Sequence, residues 1–300
     1  MNNKVLYTSD MHGNEAQFRA FVEHALQIKP SVIIIGGELF PKGGMRITPD
    51  YPQMQRMFAK ERLPELLKPI KQNLPDTLVY LMPGNDDCSV NDDLLGMHPE
   101  LFTNIDGHRM IMPNGLEIVG CSLVPFTPFA IKDREVFDEN ETYKGREDYL
   151  RGAVSVKRGD KLEWSQVEIT KAHRGRALSN VLETAPFATN YAKTIYVFHT
   201  PSSNTALDII DNGKHVGSLA VRKFIETHQP YLTLHGHIHE TVDMSGSYKE
   251  QIGRSWGMSA GNHNEDRKLS VLVMDLDNIA SAERVKLPCT KLGKMFGKIF

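Results

Sequence analysis

Residues of metal-ligating type stand at the ends of short apolar runs. Asp10 and His12 follow KVLYTS, Glu38 follows SVIII and two glycines, and Asn85 follows TLVYLM. His199 closes TIYVFH, and His237 and His239 lie within HGHIHE. Asp10 and His12 are two apart, as are His237 and His239. In extended chain such residues point to the same side, so each pair can aim both side chains into one pocket. Carboxylate, imidazole and one amide oxygen together suit Mn, Fe, Zn or Co better than Ca or Mg. The set is too large for one ion and suits two divalent ions with solvent. Asp10, Glu38 and a bridging hydroxide would leave two such ions with about one positive charge, which attracts an anionic phosphate. Two ions ~3.5–4 Å apart can generate a hydroxide nucleophile and clamp phosphoryl oxygens.

The elements that carry these residues alternate. The strand at 4–9 is followed by a helix in which Phe18, Phe21, Val22, Ala25 and Leu26 recur at helical spacing, with Asn14 as a plausible N-cap and Pro30 as the stop. Residues 31–35 form an apolar strand, completing a β-loop-α-β unit with parallel strands. A helix is predicted over 53–72, bent near Pro64 and Pro69, then a strand over 77–82. Pro113-Asn114-Gly115 marks a hairpin between 108–112 and 116–120. Residues 125–165 are polar and weakly periodic and read as an insertion beside the site. A helix is predicted over 168–183, a strand over 194–199, a helix over about 218–228 and a strand over 231–234. Antiparallel strands are expected at 251–258, 269–275 and 282–287. In open α/β sheets, ligands bind outside the carboxyl ends of the strands, where these clusters lie. The expectation is one α/β domain over 1–300. Its C-terminal helix, at about 289–300, either closes the domain or touches a membrane surface or partner.

Composition bounds the partners. Lys plus Arg number 35 and Asp plus Glu 37, a net charge of −2. That argues against a dedicated double-stranded nucleic-acid binder, which needs a basic face. Cys88, Cys121 and Cys289 form no CxxC pair, which argues against a disulfide scaffold and a zinc ribbon and favours a reducing compartment. With no signal-peptide pattern and no long apolar run, a cytoplasmic location without a transmembrane segment is expected.

The order D-x-H-G-N, G-E, G-N-x-D, an isolated strand-end His and G-H-x-H resembles the calcineurin-like metallophosphoesterases. The resemblance spans Asp10 to His239. It implies a four-layer αββα sandwich, two mixed β-sheets flanked by helices. It also implies a cytosolic hydrolase of phosphomonoesters or phosphodiesters with two divalent metal ions. By motif, Asp10, His12 and His239 would hold one ion, and Asn85, His199 and His237 the other. Glu38 would bridge them, and Asn14 would touch phosphate.

Two positions depart from the family pattern. Glu38 stands where the family has Asp, which adds about 1.5 Å of reach. Asp86 stands where the family has a His that contacts the scissile phosphate and protonates the leaving group. Asp86 with a raised pKa, or a group elsewhere, would then serve as the acid. His98, His215 and His263 are candidates for that replacement, His263 the best of them. Arg46, Lys132 and Arg134 are candidate phosphate contacts. Asp87 either caps the chain that follows or supports the site. Alternatives to a phosphoesterase acting on a small-molecule or nucleotide substrate are a degenerate member serving as a binding or scaffold module, and a nuclease or nucleotide phosphodiesterase.

Overall fold

The computed structural model describes residues 3–42, 47–139, 147–170, 176–184, 188–263 and 267–289. In chain order its first half holds β1 (Lys4–Thr8), α1 (Glu15–Ile28), β2 (Val32–Gly36), α2 (Tyr51–Met57), α3 (Leu63–Asn73), β3 (Leu78–Met82), β4 (Thr103–Asn104), β5 (Arg109–Ile111) and β6 (Glu117–Cys121). Then come β7 (Val124–Pro125), β8 (Glu135–Val136), β9 (Arg151–Arg158), β10 (Lys161–Glu168) and α4 (Leu178–Thr184). The last part holds β11 (Thr194–Phe198), α5 (Leu219–His228), β12 (Leu232–His235), α6 (Thr241–Ser245), β13 (Lys249–Ile252), β14 (Ser255–Ser259), β15 (Lys268–Asp275) and β16 (Glu283–Pro288).

Two six-stranded mixed sheets form, in the orders β16-β15-β1-β2-β3-β4 and β13-β14-β12-β11-β6-β5. The period-2 alternation of side chains explains the layering. Val5 and Tyr7 of β1 and Ile34 of β2 face the second sheet, where they meet Ile118, Val197 and Leu234. Leu6, Ile33 and Ile35 point the other way, onto Phe18, Phe21 and Val22 of α1 and Leu63 and Leu67 of α3. Tyr196 and Phe198 turn outward from the second sheet onto Val221, Phe224 and Ile225 of α5. This is the expected αββα arrangement. Tyr7 Oη donates to His235 O at 2.8 Å and ties one sheet to the other beside the site.

Local chemistry sets the element ends. The Asn14 side chain caps α1 by accepting from Ala16 N and Gln17 N at 3.1 and 3.3 Å. Lys29 closes α1 in the left-handed conformation, before Pro30. The helix expected over 53–72 starts at Tyr51 and contains a π-helical turn, Phe58–Arg62. Pro64 has no N–H to offer the Lys60 carbonyl, so the regular hydrogen-bond ladder is interrupted there.

The stretch 125–165 is less irregular than expected. It contains most of a long antiparallel hairpin, β9–β10, in which Lys161 pairs with Arg158 and Glu168 with Arg151. Exposed charges on both strands hide the alternation. The helix expected over 168–183 is corrected: Glu168 ends β10, and the described helix covers only Leu178–Thr184. Residues 290–300 of the expected C-terminal helix lie outside the described residues, as does Arg46. No described helix is long and apolar enough to cross a membrane.

Candidate metal centre

The loops after β1, β2, β3, β11 and β12 meet at one end of the two sheets. Asp10 N donates to Gly37 O at 3.0 Å and His12 N to Glu38 O at 2.8 Å, which extends the β1–β2 contact past the strands. Gly236 N donates to His199 O at 3.0 Å. Asp10, His12, Glu38 and His237 all have positive φ, at 59°, 46°, 54° and 68°. Non-glycine residues rarely occupy that region, and such strain persists where surrounding bonds over-determine it, commonly at functional sites.

The side chains form two groups joined by one carboxylate. In the first, His239 Nε2 lies 3.6 Å from Asp10 Oδ1 and 3.3 Å from His12 Nε2. In the second, Asn85 Oδ1 lies 2.7 Å from His237 Nδ1 and 3.1 Å from His199 Nε2. Glu38 stands between them. Its Oε2 is 3.6 Å from His12 Nδ1, and its Oε1 is 3.2 Å from His199 Nε2. Both Glu38 Oε2 and His12 Nδ1 are buried without a hydrogen-bond partner. A buried polar atom left so is costly. A cation between those atoms would satisfy both, and the mixed carboxylate and imidazole donors fit a divalent ion. Ligand atoms of Asp10, His12 and His239 lie within 4.8 Å of one another, as do those of His12, Glu38 and Asp86. Asp86 is therefore within the reach of a ligand, which its sequence position did not suggest.

The electrostatics are those of a balanced acid–imidazole cluster. Burial would raise Asp10, but His239 and His199 hold its carboxyl well below the usual carboxylate range. Glu38 is held down at about 2, burial being outweighed by His199 and His12. Burial works against protonation of His199, yet Glu38 and Asp10 lift it to about 9. His239 is likewise raised, by Asp10 against burial. Burial depresses His12 to about 4 and His237 to about 3. The His199 imidazolium thus stands against the Asp10 and Glu38 carboxylates at neutral pH, and His239 is shifted in the same direction.

Neighbouring residues hold the loops in place. Asp87 accepts from Leu39 N, Phe40 N and Gly84 N at 2.9, 2.9 and 2.8 Å, clamping the Glu38 loop to the Asn85 loop. Asn262 Nδ2 donates to Ser9 O and Asp10 O. His235 is buried, between Thr200 O and Thr233 Oγ1, and does not enter the cluster.

Of the other sequence candidates, several make bonds outside the cluster. Asn14 spends its carbonyl oxygen on capping α1. His263 pairs with Asp243 at 3.2 Å and lines a separate small pocket with Arg284 and Lys286. His98 pairs with Glu100, and His215 with Asp208. Lys132 and Arg134 are buried, bonded to Glu135 and to Asp92 and Asp106, so they are not the phosphate contacts expected of them. Among the described residues the cation that reaches the site is Lys42, whose Nζ is 2.7 Å from Asp86 Oδ2. Its place in sequence, in the loop that follows Glu38, was the available signal.

A family model described as calcineurin-like phosphoesterase matches residues 3–241. The chain belongs to the calcineurin-like phosphoesterase family. Its two six-stranded mixed sheets flanked by helices are consistent with the fold of that family. No curated protein matches the sequence. Among solved structures, the Thermus thermophilus protein TT1561 is similar over 95% of this chain and 99% of its own, at 20% identity and a TM-score of 0.53. A dimetal phosphatase from Danio rerio is similar over 96% of this chain and 99% of its own, at 8% identity and a TM-score of 0.49. At 20% identity the likeness to TT1561 is one of fold.

Proposed function

We propose that this chain is a metal-dependent phosphoesterase whose centre takes two divalent ions. Asp10, His12 and His239 would hold one, Asn85, His199 and His237 the other, and Glu38 would reach both. The observation that carries the reading is Glu38. Its two oxygens face His12 on one side and His199 on the other, and Oε2 is buried with no hydrogen-bond donor.

Bound ions supply Lewis acidity, acidifying water and offsetting charge that builds on phosphoryl oxygens. The chain's own residues orient that chemistry. His237 N donates to Asp10 Oδ1 at 3.1 Å and Ser9 Oγ to Asp10 Oδ2 at 2.5 Å, which fixes the carboxylate plane. Asp86 N donates to Glu38 Oε1 at 2.9 Å. Lys42 brings an ammonium to the rim, where it can meet a substrate phosphate.

One observation favours the non-hydrolytic reading, a module that binds without turnover: Asp86 at the position of the family's phosphate-contacting His. Elemental analysis for Mn, Fe, Zn and Co, paired with hydrolysis of chromogenic phosphomonoesters and diesters with added Mn, separates the two. Metal with turnover supports the enzyme. A protein inert to a broad phosphoester panel supports the binding module, and one that takes up no metal overturns the enzyme reading.

A further inference from the structure

The cleft over the candidate metal centre encloses about 470 Å³ and has two unlike sides. One is the polar floor of His12, Glu38, Asn85, Asp86, His237 and His239. The other is a largely apolar wall that includes Pro125, Phe126, Phe129, Ile210, Val216 and Ile238, with Asp211 and Glu240 also lining the cleft. Phe129 is 51% exposed and Val216 40%, so apolar surface is left open to water directly beside a charged centre. Scattered surface apolar residues need no explanation, but a contiguous apolar face lining a cleft marks a binding surface.

Lys42 stands at the seam between the two sides. Its Nζ is 2.7 Å from Asp86 Oδ2 and 5.3 Å from the centre of the Phe129 ring. Among the described residues that line the cleft it is the only lysine or arginine. The seam therefore presents an ammonium where an anion over the floor would adjoin a group on the wall. Phe126 is held by an edge-on contact with Phe137, ring centres 5.0 Å apart, so that part of the wall is fixed before any ligand arrives.

We infer that the cleft recognises a phosphoester whose organic group is flat and aromatic. That group lies against Phe126 and Phe129, while the phosphate takes a hydrogen bond from Lys42 at the edge of the metal floor. The inference rests on the phosphoesterase reading for the floor and adds the wall as the determinant of substrate class. An aryl ring and a nucleobase share the required chemistry. A purely polar ester, such as a sugar phosphate, leaves the wall wet.

The test is binding of non-hydrolysable phosphonates to the Mn-loaded full chain, measured by calorimetry, with inorganic phosphate and methylphosphonate as references. Phenylphosphonate is expected to bind on the order of tenfold more tightly than methylphosphonate, from the apolar area of one ring removed from water. Phe129→Ala should shrink that ratio by several-fold, and Phe129→Tyr should keep it. A phosphonate analogue of adenosine monophosphate separates the two sources: tighter binding than phenylphosphonate assigns the wall to a nucleobase, and weaker binding assigns it to a simple aryl group. Phosphate binding without any aryl preference, or a preference that survives Phe129→Ala undiminished, overturns the inference and leaves the metal reading intact. Failure of inorganic phosphate to bind the metal-loaded protein at all overturns both.

Discussion

Lys42 Nζ and Asp86 Oδ2 lie 2.7 Å apart at the rim of the candidate metal centre. Burial and Glu38 push the Asp86 carboxyl up, against the pull of Lys42. Lys42 itself is held above its ordinary value, because Asp86 outweighs its own burial. The pair puts a neutralised carboxylate where the family carries an imidazole that protonates the leaving group. On the proposed phosphoesterase reading, a departing oxygen would then have weaker help from a general acid. The expected outcome is a kcat that falls steeply as leaving-group pKa rises across a series of aryl phosphates. Asp86→His should flatten that slope and raise turnover most for the poorest leaving groups. A flat dependence in the parent protein, with chemistry rate-limiting, would sink this account.

Gly84 gives a sharper test of Glu38. A Cβ there would meet Glu38 N at 2.6 Å and Glu38 Oε1 at 2.7 Å. Real Cβ atoms do not approach so closely, so Gly84→Ala must displace the Glu38 carboxylate or its loop. The clash sits in a loop after β3 and not in the apolar layers, so the fold should survive. Expected results are a near-native circular dichroism spectrum and a metal content clearly below that of the parent protein. Full metal loading in Gly84→Ala would show that Glu38 is not needed to hold the ions.

Much of this centre was legible in sequence because its residues occupy one structural address. Asp10, Glu38, Asn85, His199 and His237 each follow the end of a strand, and short apolar runs locate strand ends well. The hidden parts depend on three-dimensional pairing. Lys132 looks like a surface phosphate contact until Glu135 is seen beside it in the interior. The β9–β10 hairpin carries charge on both strands, so no period-2 signal separates it from a loop. Lys42 is one lysine among many until Asp86 is placed against it. The helix expected over 168–183 overlaps the end of β10 at Glu168, and among its described residues only those from Leu178 onward are α-helical.

Metal uptake should release protons. In the metal-free protein His199 is lifted to about 9 and so carries a proton near neutral pH, and His239 is shifted in the same direction. An imidazole must be neutral to ligate. Calorimetry of Mn binding in buffers of different ionisation enthalpy should therefore show net proton release, and affinity should strengthen as pH rises from about 6 towards 9. The stability of the metal-free protein should run the other way for His199. Its folded pKa lies above the ordinary 6.5, so its contribution is complete below that value and is lost as pH climbs through about 9. Metal binding with no proton release would contradict the assignment of these imidazoles.

The buried pair Lys132–Glu135 yields a stability prediction separate from the metal centre. Lys132 Nζ is 2.6 Å from Glu135 Oε2 and 2.8 Å from Thr127 O, and both side chains of the ion pair are fully buried. Burial pushes the Glu135 carboxyl up to about 7 despite the nearby ammonium. Lys132→Met removes that ammonium and leaves the carboxylate alone, which costs about 3–5 kcal/mol when the acid is charged. Glu135 can escape by taking a proton, and without Lys132 its pKa rises further. The deficit should therefore be small near pH 5 and clearly larger near pH 9, since it grows by about 1.4 kcal/mol per pH unit above about 7. The double variant Lys132→Met with Glu135→Leu should recover much of the loss at the higher pH, since it leaves no unpaired charge. Urea denaturation of the parent, single and double variants at both pH values measures these differences. An equal deficit at the two pH values would mean that lost packing around the lysine stem, and not an unpaired carboxylate, sets the cost.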